Sequence, residues 1–278
     1  HRHEIGYEDE FVSVAEVERD RFAKHPWSLG GGGAAELKAE LERRSGEQLA
    51  ARAESIGFYQ DTHADEVFVQ PVSFFERRGI SDGWRRQVRG EDVRDWSATS
   101  DEAIVFPYTH GLEQWKEIPS TPDWSWFIAT KPVLWRRSTF GGQDYKAAGR
   151  PWFDFHQFPK DRARARMLIA FAFVATHNHF VLDRGGKVFN RSAPVIKLSE
   201  DATEDDHLAL LGDLNSSVVQ FFARQTFPSK GAQGINEGFK AETWEQFLEF
   251  PGGALSAAPV PRGIADLTEL ARELDALG

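Results

Sequence analysis

The stretch "RMLIAFAFVATHNHFVLDRGGKVFN", Arg166 to Asn190, is the most apolar in the chain, and the fold is read outward from it. Phe, Val and Ile recur in it, and "DRGG", Asp183 to Gly186, has the composition of a tight turn, so the stretch predicts a β-hairpin. Upstream, "DEAIVFPY" reads as another buried strand, stopped by Pro107, and Val67, Phe68 and Val69 read as a strand closing at Pro71. Between Ala34 and Ala53, Leu37, Leu41 and Leu49 recur at helical spacing among charged residues, which predicts an amphipathic helix. Downstream, "SEDATEDDHLALLGDLNSSVVQFFARQ" opens with acids that suit a helix N-terminus. "FPSKGAQGINEG" reads as a flexible loop, "AETWEQFLEF" as a short helix, and "GIADLTELARELDALG" as a terminal amphipathic helix. The opening "EIGYEDEFVSVAEVERD" is acidic, with an alternating apolar run from Phe11 to Val14. Strands and helices mix without strict alternation, which predicts an α+β fold: a mixed or antiparallel twisted sheet with flanking helices, and amphipathic helices near both ends.

Bulk properties narrow the function. The 278 residues are enough for a sizeable core, and 41% hydrophobic content with nine Trp excludes disorder for the whole. No apolar run reaches the roughly 20 residues that span a bilayer, so no membrane partner is expected. The absence of Cys removes disulfides, thiolate zinc sites and cysteine nucleophiles, and fits a cytoplasmic location. The chain begins at His1 rather than Met, which reads as a fragment of something longer. Net charge is −10, against the sign expected of a nucleic-acid partner. Its distribution is uneven: from Lys131 to Glu200, thirteen Lys or Arg face five acids, a local +8 that leaves −18 for the remainder. A basic middle between acidic ends suits a protein with one anion-facing surface, although scattered solvated charge gives the same count.

Four motifs invite chemistry. The run Gly30 to Gly33 leads into a helix, but Ala34, Ala35 and Glu36 follow where a phosphate loop requires Lys and Ser or Thr. A carboxylate in the first turn would also repel phosphate, so a hinge is the better reading. In "THNHF", His177 and His179 would share one face of a strand, a spacing that suits a metal pair. No third ligand is evident, and hydrogen-bonded surface or core histidines are the expectation, with no metal. "RARAR" places Arg162, Arg164 and Arg166 on one face if extended, matching a phosphate backbone or a base-reading surface; if helical, they spread apart. Trp135, Arg136, Arg137, Lys187 and Arg191 nearby favour the extended case. "ELK" at Glu36 to Lys38 mimics the end of a metal-nuclease motif, but the Pro122–Asp123 pair follows it rather than preceding it. No two prolines are adjacent, and there is no Gly-x-Ser-x-Gly elbow or His-Glu-x-x-His helix, so no catalytic constellation is found.

"HPWSLGGGGAAELKAEL" (25–41), "GEDVRDW" (90–96), "IVFPY" (104–108), "ATHNHFVLDRGGKVFNRSAPVIKL" (175–198) and "DDHLALLGDLNSS" (205–217) follow one another in this order. Together they resemble the carboxy-terminal half of large adenine-specific DNA methyltransferases of bacteriophage-exclusion defence systems, with type IIG restriction–modification enzymes as relatives. The resemblance runs roughly from His25 to Gly253. It implies a target-recognition domain that reads duplex DNA. An amino-terminal methyltransferase domain of the same polypeptide would bind S-adenosylmethionine and methylate a flipped adenine at N6. No cofactor is expected in this chain itself. Residues 1–55 would be an acidic lead-in, glycine hinge and connecting helix, 56–253 the target-recognition domain, and 254–278 a helical tail.

On that resemblance, Arg136, Arg137, Arg162, Arg164, Arg166, Lys187 and Arg191 would contact phosphates or guanine edges, on a single concave wall. Asn178, Asn190 and Gln157 would pair with adenine edges, and the loop 229–234, with Lys230, would close over DNA. Asn215 and Ser216 are expected to be structural. Two other readings compete: a metal-dependent nuclease using His177, His179 and nearby carboxylates, and a protein–protein scaffold of a phage-defence complex.

Overall fold

The Arg166–Asn190 stretch forms strands, but its hairpin turns at a different place from the one its glycines suggest. Leu168–Phe171 pairs antiparallel with Phe180–Asp183, Leu168 opposite Asp183 and Phe171 opposite Phe180, so the reversal is the loop 172–179. At "DRGG" the chain instead leaves one sheet for another. Gly185 and Gly186 adopt φ of 98° and 92°, conformations that disfavour a side chain, while the Asp183 carboxylate accepts the Gly185 N–H. Lys187–Phe189 then runs parallel to Trp84–Val88. The computed structural model that shows this describes residues 33–230, 247–260 and 267–278, with residues 4–7, 9–10, 14, 16, 19 and 23 of the lead-in.

The fold is α+β, with its strands divided among several small sheets. The first has the order Ser55–Gly57, Val195–Lys197, Leu168–Phe171, Phe180–Asp183, antiparallel throughout. All residues of Val195–Lys197, Leu168–Phe171 and Phe180–Asp183 are buried, which explains why they read as continuous apolar runs rather than alternating ones. The second has the order Lys187–Phe189, Trp84–Val88, Glu102–Val105, Val69–Pro71. The third joins Ser229–Lys230, Phe247–Glu249 and Val174–Ala175, and Val93–Arg94 pairs with Ser97–Ala98 as a small hairpin.

The helix Glu204–Leu214 lies on the Leu168–Phe171 and Phe180–Asp183 strands. Its start is the one the acids announce: Thr203 caps it by accepting the Asp206 N–H, and Asp206 returns a carboxylate to the Thr203 N–H. Ser216 caps the following helix, Ser217–Thr226. The helix Thr268–Leu277 packs against Glu204–Leu214 at Gly212, where a Cβ would meet that of Leu267 at 2.9 Å. Phe68, Phe75, Phe127, Phe155, Phe171, Phe180, Phe189 and Phe250 are fully buried and join the layers into one core. Each contributes roughly 1.5–3 kcal/mol by leaving water.

Several local expectations change. Val67 and Phe68 belong to a helical turn, Asp65–Phe68, which follows a local turn where the Thr62 hydroxyl takes the Ala64 N–H and bonds the Asp65 carboxylate. The first helix stops at Ser45, since Gly46 at φ 64° ends it, and Leu49–Ala51 forms a separate 3-10 turn. Phe247–Glu249 is a strand rather than part of a helix, drawn into the sheet by backbone pairing with Ser229–Lys230 and Val174–Ala175. Residues 231–246, most of the Phe11–Val14 run and Gly30–Gly32 lie outside the described residues. Gly33, at φ 80°, is the residue before the helix Ala34–Ser45.

Candidate nucleic-acid interface

The expected arginine wall is not formed. The helical turn Lys160–Arg164, following Pro159, takes in Arg162 and Arg164 and leaves Arg166 beyond its end, so the three arginines do not line one extended face. Arg162 turns inward and spends its guanidinium on the Ser55 hydroxyl and the Phe58 and Ile56 carbonyls, against Gly57. Burial lowers its pKa. Arg164 and Arg166 stay exposed, but they line a hollow shared with Asp161, Glu200 and Glu204, where the potential is mixed.

Arg137 departs furthest from expectation. It is buried, donating to the carbonyls of Leu134, Thr62, Trp152 and Asp154 while its guanidinium lies 4.3 Å from the Tyr145 ring centre. Desolvation pushes its pKa down. Such a group fastens the segment 131–150 to the body and has no face left for DNA. Asn178 is likewise spent: its side-chain N–H groups donate to the Leu214 and Ser216 carbonyls. Lys187 pairs with Asp183, Arg191 with Asp61, and Lys230 with Glu249. Asn190 accepts from the Ser192 N–H and hydroxyl, and Gln157 bridges Asp61 through its backbone. Asn215 holds both the N–H and the C=O of Phe180, and Ser216 caps a helix, so both are structural.

What remains open is the segment 131–150 itself, where five Lys or Arg stand against one acid, Asp144. After Pro132 the helical turn Lys131–Leu134 buries Leu134 and presents Trp135, which is half-buried. Lys131 Nζ lies 4.5 Å and Lys146 Nζ 5.3 Å from the Trp135 ring, close enough for cation–π attraction. These side chains, with Lys116, Arg150 and Trp152, line an open hollow of about 480 Å³ in which Glu117 is the only acid among the lining residues described. Arg150 is committed to Asp154 and to the Phe155 and His156 carbonyls, so the lysines carry the available charge.

Next to the hollow, Arg136 is exposed and has no ion pair among the described residues. A tight turn follows. Thr139 N–H donates to the Gln143 carbonyl, Gly142 takes φ 79°, and Phe140 is left at the tip, 76% exposed. The Phe140 ring reaches the His156 ring at 4.6 Å, and His156 stacks on His63 at 3.7 Å. Burial, then the neighbouring His63, lowers the pKa of His156. Of this surface the sequence reading picked out Arg136 as a DNA contact and Trp135 only as its neighbour. The signal that was available is the Lys-x-x-x-Trp spacing with a second Lys after a glycine turn, which one helical turn folds around a single ring.

The blocks that carried the resemblance meet one another instead. Gly90 of "GEDVRDW" touches Ser192 of "NRSAP" so closely that a Cβ would lie 2.3 Å from the Ser192 carbonyl oxygen. Asn178 and Asn215 interlock "THNHF" with "LNSS". Asp95 stands beside His177 and His179.

The fold is shared with a restriction–modification enzyme. The type IIL enzyme MmeI, solved in complex with DNA, superimposes with a TM-score of 0.53 at 11% identity, over 81% of this chain and 28% of that one. The type IIG restriction endonuclease BpuSI aligns more distantly, at a TM-score of 0.47 and 10% identity over 88% and 28% of the two chains. No protein-family model matches. Among curated proteins, the adenine-specific methyltransferase PglX of Streptomyces coelicolor (strain ATCC BAA-471 / A3(2) / M145) is 38% identical over 279 residues, 98% of this chain. The resemblance read from the sequence blocks is thus borne out. The chain spans 23% of the length of that relative. No helix among the described residues is long and apolar enough to cross a membrane.

Proposed function

We propose that this chain is the DNA sequence-recognition region of a larger N6-adenine DNA methyltransferase of the phage-defence kind, and that it reads duplex DNA without chemistry of its own. The observation that carries this reading is the end-to-end match to under a quarter of an adenine-specific methyltransferase, in a stretch with no catalytic motif. S-adenosylmethionine and the methyl-transfer step then belong to the amino-terminal part of the same polypeptide. Residues 56–253 would form the reader, between a connecting segment (1–55) and a helical tail (254–278).

The basic segment 131–150 is the surface best suited to the task. Lys116, Lys131 and Lys146 around Trp135 offer flexible point charges for phosphates, which fix register without reading sequence. Arg136 beside them has a free planar fork able to pair with a guanine edge. Phe140, held at the tip of its turn, has the form of an apolar wedge against a base step. The net charge of −10 is no obstacle to a reader whose parent supplies additional positive surface, because specificity and holding are separable.

A fluorescence-anisotropy titration against duplex DNA tests this reading, run on the chain and on its parent methyltransferase across a salt series. Log affinity should fall linearly with log salt, at about 0.9 per phosphate contact. Binding indifferent to salt, or none even in the parent, would remove it.

A further inference from the structure

Away from the basic segment, three metal-ligating side chains converge from parts of the chain more than eighty residues apart. Asp95 and Trp96 form the two-residue turn of the Val93–Ala98 hairpin, with φ of 41° and 74°. Neither is Gly, and each such left-handed residue costs about 1 kcal/mol or more. The turn brings Asp95 against the loop 172–179. Asp95 Oδ1 lies 3.4 Å from Nδ1 of His179 and 3.8 Å from Nε2 of His177. One ligand atom from each of the three residues lies within 4.8 Å of the others, and the two imidazole centres are 4.0 Å apart.

These separations are too long for hydrogen bonds and too short for unrelated surface groups. They match the edges of a coordination tetrahedron: bonds of about 2.0–2.1 Å from zinc to nitrogen or oxygen place neighbouring ligand atoms about 3.3 Å apart. A cation at the centre would shorten the two edges to Asp95 by a few tenths of an ångström and spread the two imidazoles, whose centres now lie 4.0 Å apart. Thr176 Oγ1 engages Nδ1 of His177 at 3.0 Å, which leaves Nε2 turned toward Asp95, the outer-sphere arrangement that fixes a ligating imidazole. Nδ1 of His179 accepts the Asp95 N–H at 3.2 Å, so its lone pair faces the hairpin turn, and a cation bound there would take the place of that hydrogen bond. His179 is buried, while His177 and Asp95 are exposed, so a cation can enter from solvent.

We infer that Asp95, His177 and His179 form a binding site for one zinc-class divalent cation, which clips the Val93–Ala98 hairpin to the loop leading into the Phe180–Asp183 strand. Two imidazoles and one carboxylate favour Zn²⁺, Co²⁺ or Ni²⁺ over Mg²⁺ or Ca²⁺, and solvent completes the fourth position. The strained turn then has a purpose: it points the one carboxylate of the hairpin tip at the two histidines. The site is independent of the DNA-reading proposal and stands or falls without it.

The test is a Co²⁺ titration of the full chain, followed by visible absorption, with Zn²⁺ competition. One equivalent of Co²⁺ should give the intense d–d bands of a four-coordinate ion, displaced by Zn²⁺ and not by Mg²⁺. His177→Ala should weaken affinity about 100-fold or more, and because His177 is half exposed the variant should fold. Asp95→Asn should weaken it as well, and Zn²⁺ should raise the unfolding temperature of the parent chain but of neither variant. Absence of a four-coordinate spectrum would overturn the inference. So would Co²⁺ affinity that survives both substitutions, since the ion would then sit elsewhere, for example on His1 and His3.

Discussion

The two parts of this molecule that carry the strongest sequence character behave in opposite ways. The blocks around "GEDVRDW", "THNHF" and "LLGDLNSS" turn their polar groups inward and hold one another: Gly90 against Ser192, Asn178 on Leu214 and Ser216, Asn215 on Phe180. The segment 131–150 matches none of those blocks, yet it turns Lys131, Arg136, Phe140 and Lys146 outward. The contrast teaches that the features which make a relationship legible are the ones spent on the scaffold. A surface free to choose a ligand must be one on which the fold does not depend.

That division can be broken at either end. The largest effect is expected at Arg137, the residue whose sequence context suggests DNA and whose surroundings are wholly internal. Arg137→Ala strands several buried carbonyls, so chemical denaturation should show a loss of about 3–5 kcal/mol. At temperatures where the variant is folded, the salt dependence of DNA binding should be unchanged. A stable variant with a shallower salt slope would instead return Arg137 to the interface. Asn215→Ala leaves the N–H and C=O of the buried Phe180 unpaired and should cost about 1–3 kcal/mol by the same measurement. A loss below about 0.5 kcal/mol would mean that the clamp between blocks contributes little. The smallest change in stability is expected at the wedge. Phe140→Ser removes a side chain that is mostly in water, so unfolding should shift by no more than about 0.5 kcal/mol.

Much of the scaffold was legible because it obeys local rules. The acids before Leu208 do start a helix, and the continuous apolar runs at Leu168–Phe171 and Phe180–Asp183 are strands buried on both faces. What failed depends on partners distant in sequence. "DRGG" has hairpin chemistry, but the strand after it finds Trp84–Val88, just over a hundred residues upstream, a better neighbour than the strand before it. Nor does the sequence reveal which arginine is buried. Arg136 and Arg137 are adjacent and identical in type, and only the packing of Tyr145, Trp152 and Asp154 around the second separates them. The carboxylate beside the histidine pair was invisible on paper because Asp95 lies in a hairpin that no local pattern connects to it.

The decisive measurement for the account as a whole is the salt slope of duplex binding by the full-length protein carrying Lys131→Glu and Lys146→Glu together. If these lysines around Trp135 meet phosphates, the slope should fall by about 2 and affinity by tenfold or more, with thermal unfolding unchanged. An unaltered slope in a folded double variant would contradict the claim that this outward-facing segment is where the DNA lies.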